Sequence, residues 1–185
     1  MSTEAMQITA REFSEIDIET RVNWINNPKI NYNMFFEIPA TVEKTLQWHR
    51  SNIGNKKRID FTFRDEAGTP LAMGGFTGID EANENAEFYV MVNPEMHGKG
   101  IGKKVSKWMF NYFFLRYGLN KIYLYTNDSN VSAYKIYEDC DFKLEGIFRE
   151  QKFKNGSFQN RRFYGLLKRE WMNLGWKVDQ IEYEF

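Results

Sequence analysis

The chain has 185 residues, of which 42% are hydrophobic and 27% charged, and it carries 25 basic and 25 acidic side chains. This composition is ordinary for one globular domain, and the charge balance excludes a protein whose overall field draws it to nucleic acid or to an acidic membrane. The single cysteine, Cys140, excludes an internal disulfide framework. Together with the lack of a signal segment or of an apolar run of about 18 residues, it predicts a cytoplasmic protein.

Two helices and three strands are predicted in the first half of the chain. Helical spacing runs from Ile16 to Asn27 and stops before Pro28, and a second helix runs from its N-cap, Thr41, to about Ser51. Alternating residues then predict strands over 58–65, 71–79 and 83–92, the first two joined by the turn "EAGTP".

The second half begins with a loop that has three glycines in five positions, 98–102. A helix follows from about Ile101 to Tyr117, and Gly118 is expected to end it. After the strand "KIYLYT" and a helix from about Ser129 to Asp139, two strands over 142–153 and 158–167 are joined through Asn155-Gly156, a common hairpin turn.

This order of elements predicts one α/β domain over 1–185, with a mixed, mostly antiparallel sheet flanked by helices. The core is expected over about 7–167. The tail, 168–185, holds two tryptophans, a tyrosine and a phenylalanine. We expect it to pack onto the domain or onto a second subunit.

The glycine loop predicts an anion site. The opening N–H groups of a helix have no internal acceptor and bind phosphate well, and glycines let the backbone approach the anion closely. Lys99, Lys103 and Lys104 add positive charge around the same turn. By itself, the loop is equally compatible with a glycine-rich connection that carries solvated lysines.

Two familiar phosphate loops are excluded by spacing. The P-loop requires Gly-Lys and then Ser or Thr, but Lys104 follows Gly102-Lys103, and the dinucleotide fingerprint G-x-G-x-x-G does not match glycines at 98, 100 and 102. What remains, "HGKGIG", resembles the Gln/Arg-x-x-Gly-x-Gly/Ala loop of the GCN5-related N-acetyltransferases (GNAT). His97 departs from the usual Gln or Arg.

A second motif supports the resemblance. The family's later pattern, Asn-x-x-Ala-x-x-x-Tyr-x-x-x-Gly-Phe, is matched by Asn130, Ala133, Tyr137, Asp141 and Phe142, with Asp in place of Gly. The two motifs are about 30 residues apart with one strand between them. The chain is therefore identified as a member of this superfamily, with a resemblance that spans roughly residues 7–167.

The resemblance implies acetyl-CoA as the cofactor and a sheet that splays open where it binds. The backbone at the end of the third strand would pair with pantetheine, the loop would hold the phosphates, and the next helix would face the pantetheine arm. The residues implied are Val90, Met91, Val92, His97, Gly98, Lys99, Gly100, Ile101, Gly102, Lys103, Asn130 and Ala133.

Two residues are predicted to be catalytic. The resemblance places Tyr137 beside the sulfur, where its hydroxyl would protonate the leaving thiolate. Glu87 is the expected base, because it shares a strand face with Tyr89 and Met91 next to the cleft; an exposed strand carboxylate and a water relay remain alternatives. Cys140 is expected to be a structural thiol. No Cys/His/Asp spacing indicates a metal site.

The expected partner is a small-molecule amine rather than a nucleic acid or a membrane, and a homodimer stays open. The loop between the first two helices would wall the acceptor side. Its order of residues resembles acetyltransferases of nucleotide-linked amino sugars, with spermidine acetyltransferases and then ribosomal-protein N-terminal acetyltransferases as alternatives. A non-enzymatic acetyl-CoA-binding module is disfavoured because Asn130 and Tyr137 are both present. The acceptor-binding residues predicted are Tyr32, Met34, Phe35, Phe36, Glu37 and Tyr89.

Overall fold

Eight strands form one open sheet in the computed structural model, which describes residues 7–176 and 181–184. The sheet order is β6-β7-β5-β4-β3-β2-β1-β8; the pairs β1–β8 and β4–β5 are parallel and the others antiparallel. This confirms the predicted mixed, mostly antiparallel α/β domain. The strands are β1 Ile8–Glu12, β2 Arg58–Asp65, β3 Pro70–Asp80, β4 Asn85–Val92, β5 Lys121–Asn127, β6 Lys143–Lys154, β7 Ser157–Leu167 and β8 Ile181–Tyr183.

Helices cover both faces of the sheet. On one face, α4 buries Met109, Phe110 and Phe113 completely in the main hydrophobic core. On the other face, α1 and the loop after it pack over Met73 and Met91 in a second cluster. The helices are α1 Ile18–Asn26, α2 Pro28–Asn31, α3 Val42–Asn52, α4 Ile101–Arg116, α5 Val131–Asp139 and α6 Lys168–Met172.

The predicted elements agree with the structure where local signals are strong. Thr41 caps α3 through its side chain, and Gly118 follows α4 with a positive φ of 69°. The predicted first helix is divided instead, because a 3₁₀ turn precedes α1 and Pro28 begins a separate short helix. The sequence analysis missed β1, β8 and α6, which are short elements with little periodicity of their own.

The sheet opens between β4 and β5. Strand β4 pairs with β3 along almost its whole length, from Glu87 to Val92, but with β5 only through Asn85, Ala86 and Glu87. Beyond Glu87 the two parallel strands separate. The backbone of residues 88–92 therefore has no strand partner on its β5 side among the residues described, which is the splay that the family resemblance implies.

A buried ion-pair cluster fixes the start of α1 on the sheet. Asp17, which is fully buried, accepts hydrogen bonds from Arg11 of β1 at 2.8 Å, from Arg64 of β2 at 2.7 Å and from the Ser14 N–H at 3.0 Å. Burial alone would raise the pKa of Asp17, but these hydrogen bonds outweigh it and hold the pKa below its ordinary value. The cluster sets the position of α1, and hence of Arg21 one turn later.

The described part of the tail packs on the domain. The Trp171 indole donates to Asn111 of α4 at 2.6 Å, Trp176 lies against Phe110, and β8 extends the sheet beside β1. The prediction for residues 177–180 and 185 lies outside the described residues. Within the described chain, no helix has the length and apolar character needed to cross a membrane.

Candidate active site

A cavity of about 840 Å³ lies where β4 and β5 separate. One end is formed by the glycine loop and the N-terminus of α4, the middle by α5, and the other end by α1, the loop after α2 and the β6–β7 hairpin. A single cavity thus joins most of the predicted cofactor residues to most of the predicted acceptor residues.

The glycine end has the properties of an anion site. Gly98 and Gly100 have φ values of 79° and 78°, and no atom lies within 4 Å of where a Cβ would stand on either residue. The N–H groups of Ile101, Gly102 and Lys103 make no hydrogen bond to a described residue. Free N–H groups at the positive end of a 16-residue helix fit a phosphate group well.

The side chains around this loop have more varied roles than their charges suggest. His97 places Nε2 at 3.1 Å from the Val92 carbonyl oxygen and so ties the loop to the end of β4. Lys103 forms an ion pair with Asp139 of α5 at 2.8 Å. Lys99 directs its ammonium group to the Met96 sulfur and does not line the cavity. The free N–H groups therefore contribute positive potential at this end that does not depend on the lysines.

The middle of the cavity is lined by Asn130, Ala133 and Tyr137, as the sequence predicted. Asn130 caps α5, since its Oδ1 accepts from the Ala133 N–H at 3.3 Å. Ser106 and Asn127, which the sequence analysis missed, line the same region, and their Oγ and Oδ1 atoms are buried without a hydrogen-bond partner in the described chain. Unsatisfied polar atoms in this position fit the amides of a pantetheine arm.

Tyr137 is buried and faces the cavity. Its side chain is 8% exposed, its ring packs against Phe88 and Phe142, and its hydroxyl makes no hydrogen bond to a described residue. Burial raises the pKa of Tyr137 above the ordinary value for a tyrosine. The phenol thus stays protonated at physiological pH and is available as a hydrogen-bond donor.

Glu87 occupies the last paired position of β4 and β5, at the apex of the opening. It lines the cavity and forms no hydrogen bond or ion pair within the described chain. Burial raises the pKa of the Glu87 carboxyl, against the opposing effects of Arg161 and Arg58. A carboxylate with a raised pKa and unused oxygens is suited to accept a proton from an amine.

Tyr89 lies on the same strand face but has a different environment. Its hydroxyl donates to Asp60, and burial and the Asp60 charge raise the pKa of Tyr89 to about 12. Its phenol is therefore engaged and remains neutral, and its ring lies beside the Arg21 and Arg58 guanidinium groups. This environment favours a role in shaping the acceptor end rather than in moving protons.

The loop after α2 forms one wall of the acceptor end. Met34, Phe35 and Phe36 line the cavity as predicted, whereas Tyr32 is 61% exposed and Glu37 forms a surface ion pair with Lys44 at 2.6 Å. Tyr32 and Glu37 are therefore not among the residues that line the cavity.

The hairpin holds this loop in place. The Lys154 ammonium group donates to the Asn31 and Met34 carbonyl oxygens.

The acceptor end is rich in basic side chains. The basic residues that line the cavity outnumber its lining carboxylates, of which Glu87 is the only one among the described residues. Asp60 lies nearby, but Arg58 occupies it with two hydrogen bonds of 2.7 and 2.9 Å. The basic residues at this end are Arg21, Lys29, Arg58, Lys152 and Arg161.

Known proteins share this arrangement. The Acetyltransferase (GNAT) domain family matches residues 7–143. The chain belongs to this family. A spermidine N(1)-acetyltransferase of Vibrio cholerae is 26% identical over 90% of this chain and 96% of the relative, and one of Escherichia coli is 33% identical over 44% of each chain. A crystal structure of spermidine N-acetyltransferase from V. cholerae with CoA and spermine aligns with a TM-score of 0.87, 26% identity and coverage of 90% of this chain and 99% of that chain.

As a GNAT enzyme, the protein is an acetyl-CoA-dependent N-acetyltransferase. The free N–H groups at the start of α4 and the unsatisfied atoms of Ser106 and Asn127 are the features of this chain that fit the cofactor. When bound, acetyl-CoA supplies a reactive thioester. In the described part of the GNAT domain, no three His, Cys, Asp or Glu side chains are grouped as metal ligands.

We predict that Gly100→Asp abolishes acetyl-CoA binding without unfolding the protein. The new carboxylate would stand beside the free N–H groups and repel the phosphates. Gly54→Asp is the matched control, because Gly54 has a similar φ of 75°, equally open surroundings and a position outside the cavity. Calorimetry should show lost affinity in the first variant only. Equal affinities in two folded variants would remove the loop from the cofactor site.

We predict that Tyr137→Phe lowers kcat by about 10²-fold, near the lower end of what general-acid catalysis contributes. The ring keeps its packing and loses only the hydroxyl, so the Kd for acetyl-CoA should change by less than about threefold. Tyr134→Phe, on the same helix but outside the cavity, is the control. Single-turnover rates measure the chemical step, and a rate within about twofold of wild type would make Tyr137 only a wall of the cavity.

We predict that Glu87→Gln lowers kcat/KM by about 10²-fold at neutral pH and changes its pH dependence. A base must be deprotonated to act. Because the pKa of Glu87 is raised, the loss of kcat/KM caused by protonation of Glu87 should begin at a higher pH than for an ordinary glutamate. Below that pKa, log kcat/KM should rise with a slope of about 2 in wild type, from Glu87 and the amine, and about 1 in the variant. Glu81→Gln, on an exposed turn, is the control. A slope of 1 in both proteins would assign the proton to water.

Proposed function

We propose that the protein transfers the acetyl group of acetyl-CoA directly to the primary amine of a small molecule. The observation that carries the proposal is the position of Glu87 at the apex of the opening, between an anion site at one end of the cavity and an aromatic, basic pocket at the other. An amine entering from the pocket reaches the apex beside an unpaired carboxylate.

Two side chains, Glu87 and Tyr137, accept and donate the protons of the acetyl transfer. A primary amine with a pKa near 10 is mostly protonated at neutral pH, so its neutral form must be generated and must lose one more proton as the N–C bond forms. Glu87, directly or through one water, accepts that proton. As the C–S bond breaks, the Tyr137 hydroxyl donates to the sulfur. Glu87 then releases its proton to solvent and Tyr137 regains one, so the net change is the transfer of one proton from nitrogen to sulfur. The products are an N-acetyl amine and coenzyme A.

The cysteine supports direct transfer. Cys140 is fully buried and does not line the cavity, and burial raises its pKa to about 11. A thiol of this kind is a poor nucleophile at neutral pH and has no access to the thioester. A free, reduced cysteine also supports the proposed cytoplasmic location.

The relatives support polyamines as the acceptor class. The V. cholerae relative, which covers 90% of this chain, is named for spermidine, and the V. cholerae structure with CoA contains spermine. On this evidence the polyamine alternative ranks above the nucleotide-linked amino sugar that the sequence analysis preferred. Spermidine and spermine are therefore the first acceptors to test.

A second acceptor class is favoured by the charges of this chain. A polyamine keeps one or more ammonium groups while one nitrogen reacts, and these would approach the arginines of the acceptor end. At an effective dielectric constant of about 20, two like charges about 6 Å apart repel by about 3 kcal/mol, which corresponds to about 10²-fold in affinity. The lining therefore favours an amine that also carries an anionic group, a class that includes nucleotide-linked amino sugars.

We expect thiol release from acetyl-CoA to require a small primary amine and to yield one N-acetyl product per coenzyme A. The panel contains spermidine, spermine, a UDP-linked 4-amino sugar and a peptide with a free N-terminus. Release is followed with a thiol reagent and the product by mass spectrometry. A protein that binds acetyl-CoA but acetylates none of these amines would be a binding module, and reaction with the peptide alone would indicate a protein N-terminal acetyltransferase.

A further inference from the structure

Arg21 is a buried arginine that forms no ion pair within the part of the chain that the structure describes. It lies on α1, is 4% exposed and lines the cavity. It makes no hydrogen bond or ion pair to any residue in the described chain, and its Nη1 atom is buried without a partner. Leaving a charged group buried and unpaired is costly, and none of the residues described, 7–176 and 181–184, compensates for this cost with an acceptor.

Aromatic rings surround the guanidinium group. Its central carbon lies 4.5 Å from the centre of the Trp48 ring, and between 5.6 and 5.9 Å from the ring centres of Phe13, Phe36 and Tyr89. Cation–π contacts offset part of the cost of burial, but rings accept none of the N–H donors in the way that an oxyanion does. The four rings thus position the guanidinium group and leave its N–H donors available.

The nearby carboxylate belongs to another arginine. Asp60 accepts two hydrogen bonds from Arg58 and one from the Tyr89 hydroxyl. Arg58 stacks on the same Trp48 ring as Arg21, at 4.8 Å. The guanidinium groups of Arg21 and Arg58 therefore lie near one carboxylate, that of Asp60. These three groups together carry one excess positive charge.

A second arginine faces this end of the cavity from β7. Arg161 lies over Phe35 and Tyr125, at 5.3 and 4.7 Å from their ring centres. Its Nε is buried without a hydrogen-bond partner among the described residues. Phe35 and Phe36 are adjacent in the loop after α2, so the two arginines contact neighbouring rings of one wall.

We propose that the acceptor end contains an anion subsite, in which Arg21 is the principal donor and Arg161 the second, for a carboxylate or phosphate carried by the amine acceptor. The proposal rests on the proposed function and specifies its acceptor. The aromatic rings would bind the apolar part of the acceptor, and the arginines would bind its anionic end. The amine would then lie beside Glu87, at the apex of the opening between β4 and β5.

A matched series of amines tests the acceptor. Pentylamine, 1,5-diaminopentane, 6-aminohexanoate and 5-aminopentyl phosphate have similar chains and end in a methyl, ammonium, carboxylate or phosphate group. We expect kcat/KM for at least one anionic amine to exceed that for 1,5-diaminopentane by about 10²-fold or more. The carboxylate and phosphate arms show which anion is preferred, and spermidine and the UDP-linked 4-amino sugar extend the comparison.

Arg21→Met keeps the length of the side chain and removes its charge. We expect it to raise KM for the preferred anionic amine by about 10²-fold, and by at least tenfold more than KM for pentylamine. Arg21→Lys, which keeps the charge, should recover part of this loss. Arg50→Met, at a surface ion pair with Glu15 outside the cavity, should leave the preference unchanged.

Thermal unfolding separates a binding role from a structural one. If Arg21 is kept for a ligand, Arg21→Met removes an unpaired buried charge, and the Tm of the free protein should stay equal or rise. With the cofactor site saturated by CoA, the preferred anionic amine should raise the Tm of wild type and not that of the variant.

Three results would overturn the anion subsite: preference for 1,5-diaminopentane or spermidine, an equal loss for all amines in Arg21→Met, or a lower Tm in that variant. In each of these cases amines are still acetylated. Failure of the proposed function is a different result, in which no amine of the series is acetylated although acetyl-CoA binds.

Discussion

The active-site cavity exists because β4 and β5 pair over only three residues. Up to Glu87 they are neighbouring strands of a continuous sheet; beyond it, β4 remains held by β3 and β5 by β7, so each strand follows a different half of the sheet. The opening gives access to strand backbone without exposing the hydrophobic core, since α4 and α5 cover one face. The glycine loop, the α4 N-terminus and the apex carboxylate all derive their positions from this divergence.

The two ends of the cavity present positive potential by different means. At the cofactor end it comes from free N–H groups, while Lys103 is paired with Asp139. At the acceptor end it comes from whole charges on side chains that α1 and β7 hold against aromatic rings. Backbone dipoles suit the phosphates of acetyl-CoA, the cofactor of this acetyltransferase. Side chains are free to change with the acceptor, and identities near 26% leave room for such change.

Sequence reasoning succeeded where the signal was local. The α4 loop, the N-cap Thr41 and the Asn155-Gly156 turn, with φ values of 52° and 79°, each follow from residues a few positions apart. Arg21 could not be predicted in this way, because an arginine in a short amphipathic helix usually faces solvent. Its burial depends on rings from α3, β4 and the loop after α2. The pairing of Glu37 with Lys44, which takes that carboxylate away from the cavity, likewise depends on the fold.

Asp17 and Arg21 are charged, buried and one helical turn apart, but they differ in whether the described residues satisfy their charges. Asp17 is fully buried, and donors from Arg11, Arg64 and Ser14 satisfy it. Arg21 is almost as buried, and no described residue supplies it with an acceptor. Both residues belong to the segment that the Asp17 hydrogen bonds anchor on the sheet, so poor packing of this segment does not explain the difference. The described residues satisfy the charge that anchors α1, but they leave unsatisfied the charge that faces the cavity. That contrast is the physical basis for assigning the partner of Arg21 to the acceptor.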